Sequence, residues 1–227
     1  MLNLTLAAAA FVLVHLLVSG TRVRDGLVAR LGEGAYMGGF SLASIVLLVW
    51  LVNAYGDARP ETLVWWAPEP WSRWAAVVIQ FVAVLLIVPG LLTANPTSVK
   101  QEGALDRPDP ARGILRVTRH PFLWGVALWA AGHLLVNGDL ASLLLFGPLF
   151  ALAALGGASI DAKRLRSHGD KYRAFTAQTS NLPFAAILSG RQTLKLGEIG
   201  WRGLAGVAVY ALLFLTHPLF AGVAPLG

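Results

Sequence analysis

The chain contains no cysteine among its 227 residues. That absence excludes a disulfide framework, an iron–sulfur cluster, a thiolate haem ligand, a catalytic thiol and any cysteine-based zinc site. Any chemistry must therefore come from the five histidines, the acidic and basic side chains, the hydroxyl groups or a bound cofactor.

Charge is also scarce. Only 13% of the residues are charged, whereas a soluble domain carries about 25%. The hydrophobic fraction is 56% and the mean hydropathy is +0.64. A chain this short still needs a polar surface in water, so the composition predicts an integral membrane protein. The net charge of +6 is then typical of basic cytoplasmic loops, and no nucleic-acid partner is expected.

Six apolar stretches separate the polar segments, and most approach the ~20 residues that cross a bilayer as a helix. The sequence thus predicts one all-α, polytopic membrane domain over residues 1–227, with about six transmembrane helices. The expected helices lie at residues 2–20, 37–53, 74–92, 121–136, 140–160 and 204–220.

The basic residues predict the orientation. Sixteen of the eighteen Lys and Arg residues follow the first, third or fifth stretch, and only Arg59 and Arg73 lie in the other loops. Because Lys and Arg in short loops mark the cytoplasmic side, both termini are expected on the non-cytoplasmic side. The expected location is the inner membrane of a bacterium, with membrane lipids as partners.

Three histidines are candidate site residues, because an ionisable group in a bilayer is costly unless it has a function. His15 lies in the first stretch, His133 lies near the outer end of the fourth, and His120 follows Arg119 at its cytoplasmic end. His120 and His133 are thirteen residues apart, about 20 Å along a straight helix, so one iron cannot bind both. For a bis-histidine haem, depth favours His15 with His120, and His15 with His133 second.

A second candidate region follows the fifth stretch. Asp161, Arg164 and Tyr172 lie in a basic segment that leaves the membrane. Its cations predict contact with anionic lipid headgroups or with an anionic substrate.

Two parts of the chain carry a family resemblance. The run Thr118-Arg119-His120-Pro121, with Gly132-His133 and Asn137-Gly138-Asp139 after it, closely resembles the NnrU family. Leu13-Val14-His15 in the first stretch matches the same family. The resemblance extends from about residue 5 to about residue 165.

The resemblance implies a multi-pass bacterial membrane protein linked to nitrite and nitric oxide reduction. NnrU proteins are similar to 15-cis-zeta-carotene isomerases, which are haem b enzymes with histidine ligands. The implied function is a cis–trans isomerase-like enzyme on a hydrophobic small molecule, or a factor in nitrogen-oxide respiration. On this reading His15, His120 and His133, with Arg119 beside them, are the haem-binding candidates.

A second resemblance competes with the first. Arg119-His120-Pro121 and the later Asp161, Gly169 and Tyr172 look like the isoprenylcysteine and phospholipid methyltransferase pattern. That pattern implies S-adenosylmethionine as cofactor and a lipid or small thiol as substrate. Asp161 departs from it, since a pair of glutamates is usual there. A non-enzymatic accessory protein is the third alternative.

Overall fold

The structure is a computed structural model, and it describes residues 1–19 and 21–227. Eight α-helices occur in this part of the chain. They are α1 (Leu2–Leu13), α2 (Arg22–Leu31), α3 (Glu33–Ala58), α4 (Pro70–Leu92), α5 (Pro121–Val136), α6 (Leu140–Gln178), α7 (Ala185–Leu188) and α8 (Leu196–Ala221). A π-helical segment, Val14–Ser19, continues α1.

Short elements connect the helices. They are the 3-10 turns Arg59–Glu61, Glu102–Asp106 and Gly113–Arg116, and the strands β1 (Val64–Trp66) and β2 (Gly138–Asp139). The strands pair antiparallel, with Val64 opposite Asp139 and Trp66 opposite Gly138. Position 138 requires glycine, because a Cβ there would lie only 2.2 Å from the Trp66 ring.

Each predicted apolar stretch forms a helix, so the all-α class is confirmed. The end of the first predicted helix, Gly20, lies outside the described residues. Among the described residues, four helices are long and apolar enough to cross a membrane. They are Glu33–Glu61, Pro70–Leu92, Leu140–Gln178 and Leu196–Ala221, with the bent pair Leu2–Val18 and Arg22–Leu31 as a possible fifth span. The count of about six and the orientation of the termini stay predictions.

Several helices extend beyond their apolar stretch, and the local sequence explains where they begin or break. α3 begins after Gly32, whose φ of +79° suits glycine, and carries Glu33 in its first turn. α4 begins with Pro70 behind a capping box formed by Glu69 and Ser72. The non-helical φ of +46° at Gly169 breaks α6 within its polar continuation.

The chain divides into two compact units. The first comprises Met1–Pro68 and His133–Leu152. There the Trp50 indole donates to Asn3 Oδ1 at 3.0 Å, which ties α3 to α1. The Tyr55 ring meets the Phe146 ring edge-on at 6.1 Å, which ties α3 to α6.

The second unit comprises Glu69–Gly132 and Ala153–Gly227. Here α4 packs against α8, and the Tyr210 hydroxyl donates to the Val77 carbonyl at 3.0 Å. α4 also packs closely on α5, because a Cβ on Gly125 would lie 2.8 Å from the Ala83 carbonyl oxygen. These contacts hold the start of α5 against the end of α4, which positions the site described next.

Candidate functional site

The second unit contains a polar cluster centred on the Asp161 carboxylate in α6. The Arg119 guanidinium approaches it through Nε at 2.9 Å from Oδ2 and through Nη2 at 2.5 Å from the same oxygen. His120 Nε2 lies 2.8 Å from Oδ1, and the Tyr172 hydroxyl donates to Oδ1 at 2.5 Å. Three of the predicted candidates, together with Arg119, are thus brought to one point.

The cluster is largely removed from solvent. The side chains of His120 and Asp161 are 1% and 19% exposed, and Tyr172 is fully buried. A buried carboxylate is costly unless donors satisfy it, and here three donor groups do so. The arrangement holds the first turn of α5 to the middle of α6.

The backbone before His120 is also fixed. Asn95 Oδ1 accepts from the Thr97 N–H at 2.9 Å, which closes an Asx turn at Asn95-Pro96-Thr97. Asn95 Nδ2 then donates to the Arg119 carbonyl at 3.1 Å. On the other side, the Arg119 N–H donates to the Ser180 carbonyl at 2.9 Å. The position of the imidazole is therefore set by two loops as well as by Asp161.

One atom of this cluster has no hydrogen-bond partner in the described residues. His120 Nδ1 is buried without one. The Cδ2 edge of the ring faces Gly157, where an added Cβ would lie 3.1 Å away, so Nδ1 lies on the opposite edge. His120 also lines a cavity of about 210 Å³ with the apolar side chains of Leu91, Phe122 and Ile160. Because Asp161 accepts from Nε2, Nδ1 is the nitrogen left for a ligand.

Arg164 takes a different position from the other predicted residues. Its guanidinium forms an ion pair with Glu102 and donates to the Ser98 carbonyl at 2.8 Å, and its side chain is 9% exposed. Arg164 therefore links the turn Glu102–Asp106 to α6.

A second polar cluster, which the sequence motifs do not indicate, surrounds Arg116. This guanidinium donates to Glu198 through Nε at 2.7 Å and through Nη2 at 2.9 Å, and Nη2 also lies 2.5 Å from Asp109 Oδ2. The hydrogen bond to Glu198 raises the pKa of Arg116, and the charge of Asp109 adds to the effect. Glu198 is an acid within an otherwise basic segment, and that contrast is the signal that could have revealed the pair.

His15 and His133 both belong to the first unit. His15 Nδ1 lies 2.7 Å from the Phe11 carbonyl, and its ring packs against Phe11 at 4.3 Å and Phe40 at 5.4 Å. A carbonyl oxygen only accepts, so Nδ1 carries the proton of this bond. The His133 ring stacks on Phe146 at 4.7 Å.

Across residues 1–19 and 21–227, no group of three or more His, Cys, Asp or Glu side chains could hold a metal ion. The pairing of His15 with His120 or with His133 stays a prediction.

The family model described as NnrU protein matches residues 3–225, which is nearly the whole chain. The chain belongs to the NnrU family. The resemblance predicted from the motifs around His15, His120 and His133 is thereby confirmed, and the NnrU match extends well past residue 165.

Two plant proteins are similar to this NnrU-family chain. The chloroplastic 15-cis-zeta-carotene isomerase of Arabidopsis thaliana is 27% identical over 224 residues, covering 93% of this chain and 58% of the plant protein. The chloroplastic enzyme of the same name from Zea mays is 34% identical over 82 residues, covering 36% of this chain and 22% of the plant protein. The chain thus spans less than two thirds of the length of these relatives. No solved structure gives a significant match.

Proposed function

We propose that this protein is a membrane isomerase that converts a cis double bond of an apolar polyene to the trans form. The observation that carries the proposal is the similarity to a zeta-carotene isomerase over 93% of this chain. The mostly helical, apolar architecture supports it, because a polyene substrate dissolves in the bilayer and reaches the protein from the membrane.

We propose haem b as the cofactor, with His15 as one ligand. A histidine that binds a metal usually donates its other N–H to a carbonyl or carboxylate, which fixes the ring and leaves the lone pair on the second nitrogen. His15 Nδ1 makes a bond of this kind to the Phe11 carbonyl. Phe11 and Phe40 supply the apolar surroundings that suit a porphyrin. The residues around His15 therefore fit the group.

For the second ligand the proposal favours His133 over His120. His133 belongs to the same compact unit as His15 and lies against an aromatic ring. The cavity beside His120, about 210 Å³, is smaller than the roughly 300–1,000 Å³ of most small-molecule sites. A comparison of His133→Ala with His120→Ala decides between them, because only the ligand variant loses bound haem.

The cofactor and the protein's own side chains have separate roles in this proposal. Haem b supplies a redox-active iron whose reactivity is set by its axial ligands and by the polarity of the pocket. The chain's own aromatic side chains hold an apolar substrate and exclude water. The cluster of Arg119, His120, Asp161 and Tyr172 positions the start of α5 against α6.

The test of the isomerase is a direct assay. The chain is purified from cells supplied with haem, placed in lipid vesicles and incubated with a cis polyene hydrocarbon, and the isomers are separated by chromatography. The proposal predicts accumulation of the trans isomer in excess of that formed in protein-free vesicles. Equal isomer ratios with and without the haem-loaded protein would contradict it.

A second candidate is an S-adenosylmethionine-dependent methyltransferase. The observation in its favour is that Arg119, His120, Asp161 and Tyr172, which carry that resemblance, converge beside a cavity. Equilibrium binding of S-adenosylmethionine, lost in Arg119→Ala, would favour this function. No binding at millimolar cofactor would remove it.

A further inference from the structure

A cavity of about 400 Å³ opens in the second unit, away from the Asp161 cluster. It is lined by residues that follow α4, by the segment 107–113 and by the first turns of α8. Five of the lining side chains are ionisable: Arg107, Asp109, Arg112, Glu198 and Arg202.

The two carboxylates of this cavity are already neutralised. Arg116, whose side chain is 5% exposed, binds both Asp109 and Glu198, and Lys195 Nζ lies 3.7 Å from Glu198 Oε1. Glu198 also accepts from the Gly113 N–H at 2.9 Å. Arg116 and Lys195 together offset the charge of both acids, so the acids do not compensate the arginines on the cavity wall.

Three guanidinium groups on the wall then carry uncompensated charge. The side chains of Arg107 and Arg112 have no hydrogen bond or ion pair within residues 1–19 and 21–227, and both are exposed. Arg202 is half-buried; its Nε donates to the Leu92 carbonyl at 2.9 Å and its guanidinium lies 5.0 Å from the Trp201 ring centroid. Guanidinium groups bind phosphate oxygens in pairs, so three of them suit a group with more than one anionic oxygen.

The cavity lies where two apolar helices end. α4 ends at Leu92 and α8 begins at Leu196, and both helices could cross a membrane. Large apolar side chains on these turns are exposed: Leu91 by 62%, Trp201 by 59% and Leu204 by 72%. A cationic cavity beside an exposed apolar surface fits a molecule with an anionic head and a hydrocarbon tail.

We infer that this cavity binds the phosphate headgroup of an anionic phospholipid. Arg107, Arg112 and Arg202 hold the phosphate, and the acyl chains lie along the exposed apolar turns of α4 and α8. Lipid contacts were expected from the sequence at Asp161, Arg164 and Tyr172. Tyr172 donates to Asp161 and Arg164 pairs with Glu102, and lipid contact at these three residues stays a prediction. The inference is independent of the isomerase proposal, because it concerns different residues.

The experiment compares two lipids on the same protein. The chain in a neutral detergent is titrated with palmitoyl-oleoyl phosphatidylglycerol or with the phosphatidylcholine of the same acyl chains, and bound lipid is counted by native mass spectrometry. We expect phosphatidylglycerol to be retained in preference to phosphatidylcholine. In the double variant Arg107→Gln/Arg112→Gln, binding of phosphatidylglycerol should weaken roughly thirtyfold, since each arginine near a membrane surface contributes a few-fold or more.

The matched control is Arg22→Gln/Arg30→Gln, which removes the same charge from exposed positions of α2. It should bind phosphatidylglycerol as the wild type does. Equal retention of the two lipids by the wild type, or equal loss in the two double variants, would overturn the inference. Displacement of the lipid by inorganic phosphate at an equal concentration would also overturn it, because the cavity would then recognise a soluble phosphate.

Discussion

The imidazole Nε2 of His120 lies 2.8 Å from Oδ1 of Asp161, across 41 positions of the sequence. The same carboxylate accepts from the Arg119 guanidinium and from the Tyr172 hydroxyl. Because α5 begins at Pro121 and Asp161 lies within α6, this contact determines how the two helices meet. The first two predictions follow from it.

Asp161→Asn should destabilise the protein strongly. The amide keeps the shape of the carboxylate but removes the negative charge that Arg119 and His120 face, and it turns one acceptor into a donor. Removing one member of a buried ion pair costs roughly 3–5 kcal/mol, so Tm should fall by about 6–20 °C. Thermal unfolding in detergent, followed by far-UV circular dichroism, measures the effect. Asp170→Asn, whose parent side chain is 95% exposed, is the control and should leave Tm within about 1 °C.

Tyr172→Phe should lower the free energy of unfolding by less than Asp161→Asn does. The size of its effect should depend on whether Asp161 is present. The variant loses one hydrogen bond to a charged group, worth about 1.5–3 kcal/mol, but keeps the ring that packs on Phe175 at 5.7 Å. In the Asp161→Asn background the same change should cost clearly less, since its charged acceptor is gone. If Tyr172→Phe destabilised the wild type and the Asp161→Asn variant equally, the Tyr172 hydroxyl would not be stabilising the protein through Asp161. Tyr55→Phe, which loses only a neutral contact to Ser142 at 3.2 Å, is the control.

Gly125→Ala should destabilise the packing of α5 on α4. An added Cβ would lie 2.5 Å from Ile87 Cγ1 and 2.8 Å from the Ala83 carbonyl oxygen. The Ala83 carbonyl is part of the α4 backbone, so it cannot move aside as a flexible side chain can. Overpacking of this kind costs roughly 1–3 kcal/mol in the free energy of unfolding. Gly38→Ala in α3 meets nothing within 4 Å, so its Tm should stay the same or rise. A Gly125→Ala variant as stable as Gly38→Ala would contradict the close approach of α5 to α4.

The Glu102–Arg164 ion pair should make stability depend on acid pH. Burial raises the pKa of Glu102, but its backbone N–H and the Arg164 guanidinium outweigh that and lower it below its usual 4.5. A lowered pKa means that the stabilisation is present above pH 4.5 and is lost as pH falls through the folded-state value. Tm of the wild type should therefore exceed that of Glu102→Gln at pH 7, and the two should converge once the pH falls below the folded-state pKa of Glu102. A difference that is constant with pH would contradict this linkage; Glu61→Gln, at an exposed turn, is the control.

The helices were predictable, but most of their ends were not. Hydrophobicity located all six apolar stretches, and α5 has the predicted bounds of 121–136. α6 continues eighteen residues past Ile160, because the basic segment after it still favours a helix until Gly169 and then Gln178. The length of an apolar stretch indicates where a bilayer can lie, whereas the ends of a helix depend on capping residues and helix-breaking residues.

The candidate site was predictable only in part. Arg119, His120, Asp161 and Tyr172 were found because two motifs resemble known membrane enzymes. The partners Asn95, Glu102 and Glu198 carried no such signal, since each acts through a contact that depends on how distant segments fold together. In the sequence Arg116 is one of many loop cations, and its pairing with Glu198 spans 82 positions.

The proposed function places a haem on imidazole side chains within the helices, and the absorption spectrum tests this proposal most directly. The chain is purified from cells supplied with haem, and its Soret band and pyridine haemochrome spectrum are recorded beside those of two variants. The account predicts haem b in the wild type and in His168→Ala, whose parent imidazole is bonded to Ser167, and loss of the Soret band in His15→Ala. A wild type without haem, or an undiminished Soret band in His15→Ala, would contradict it.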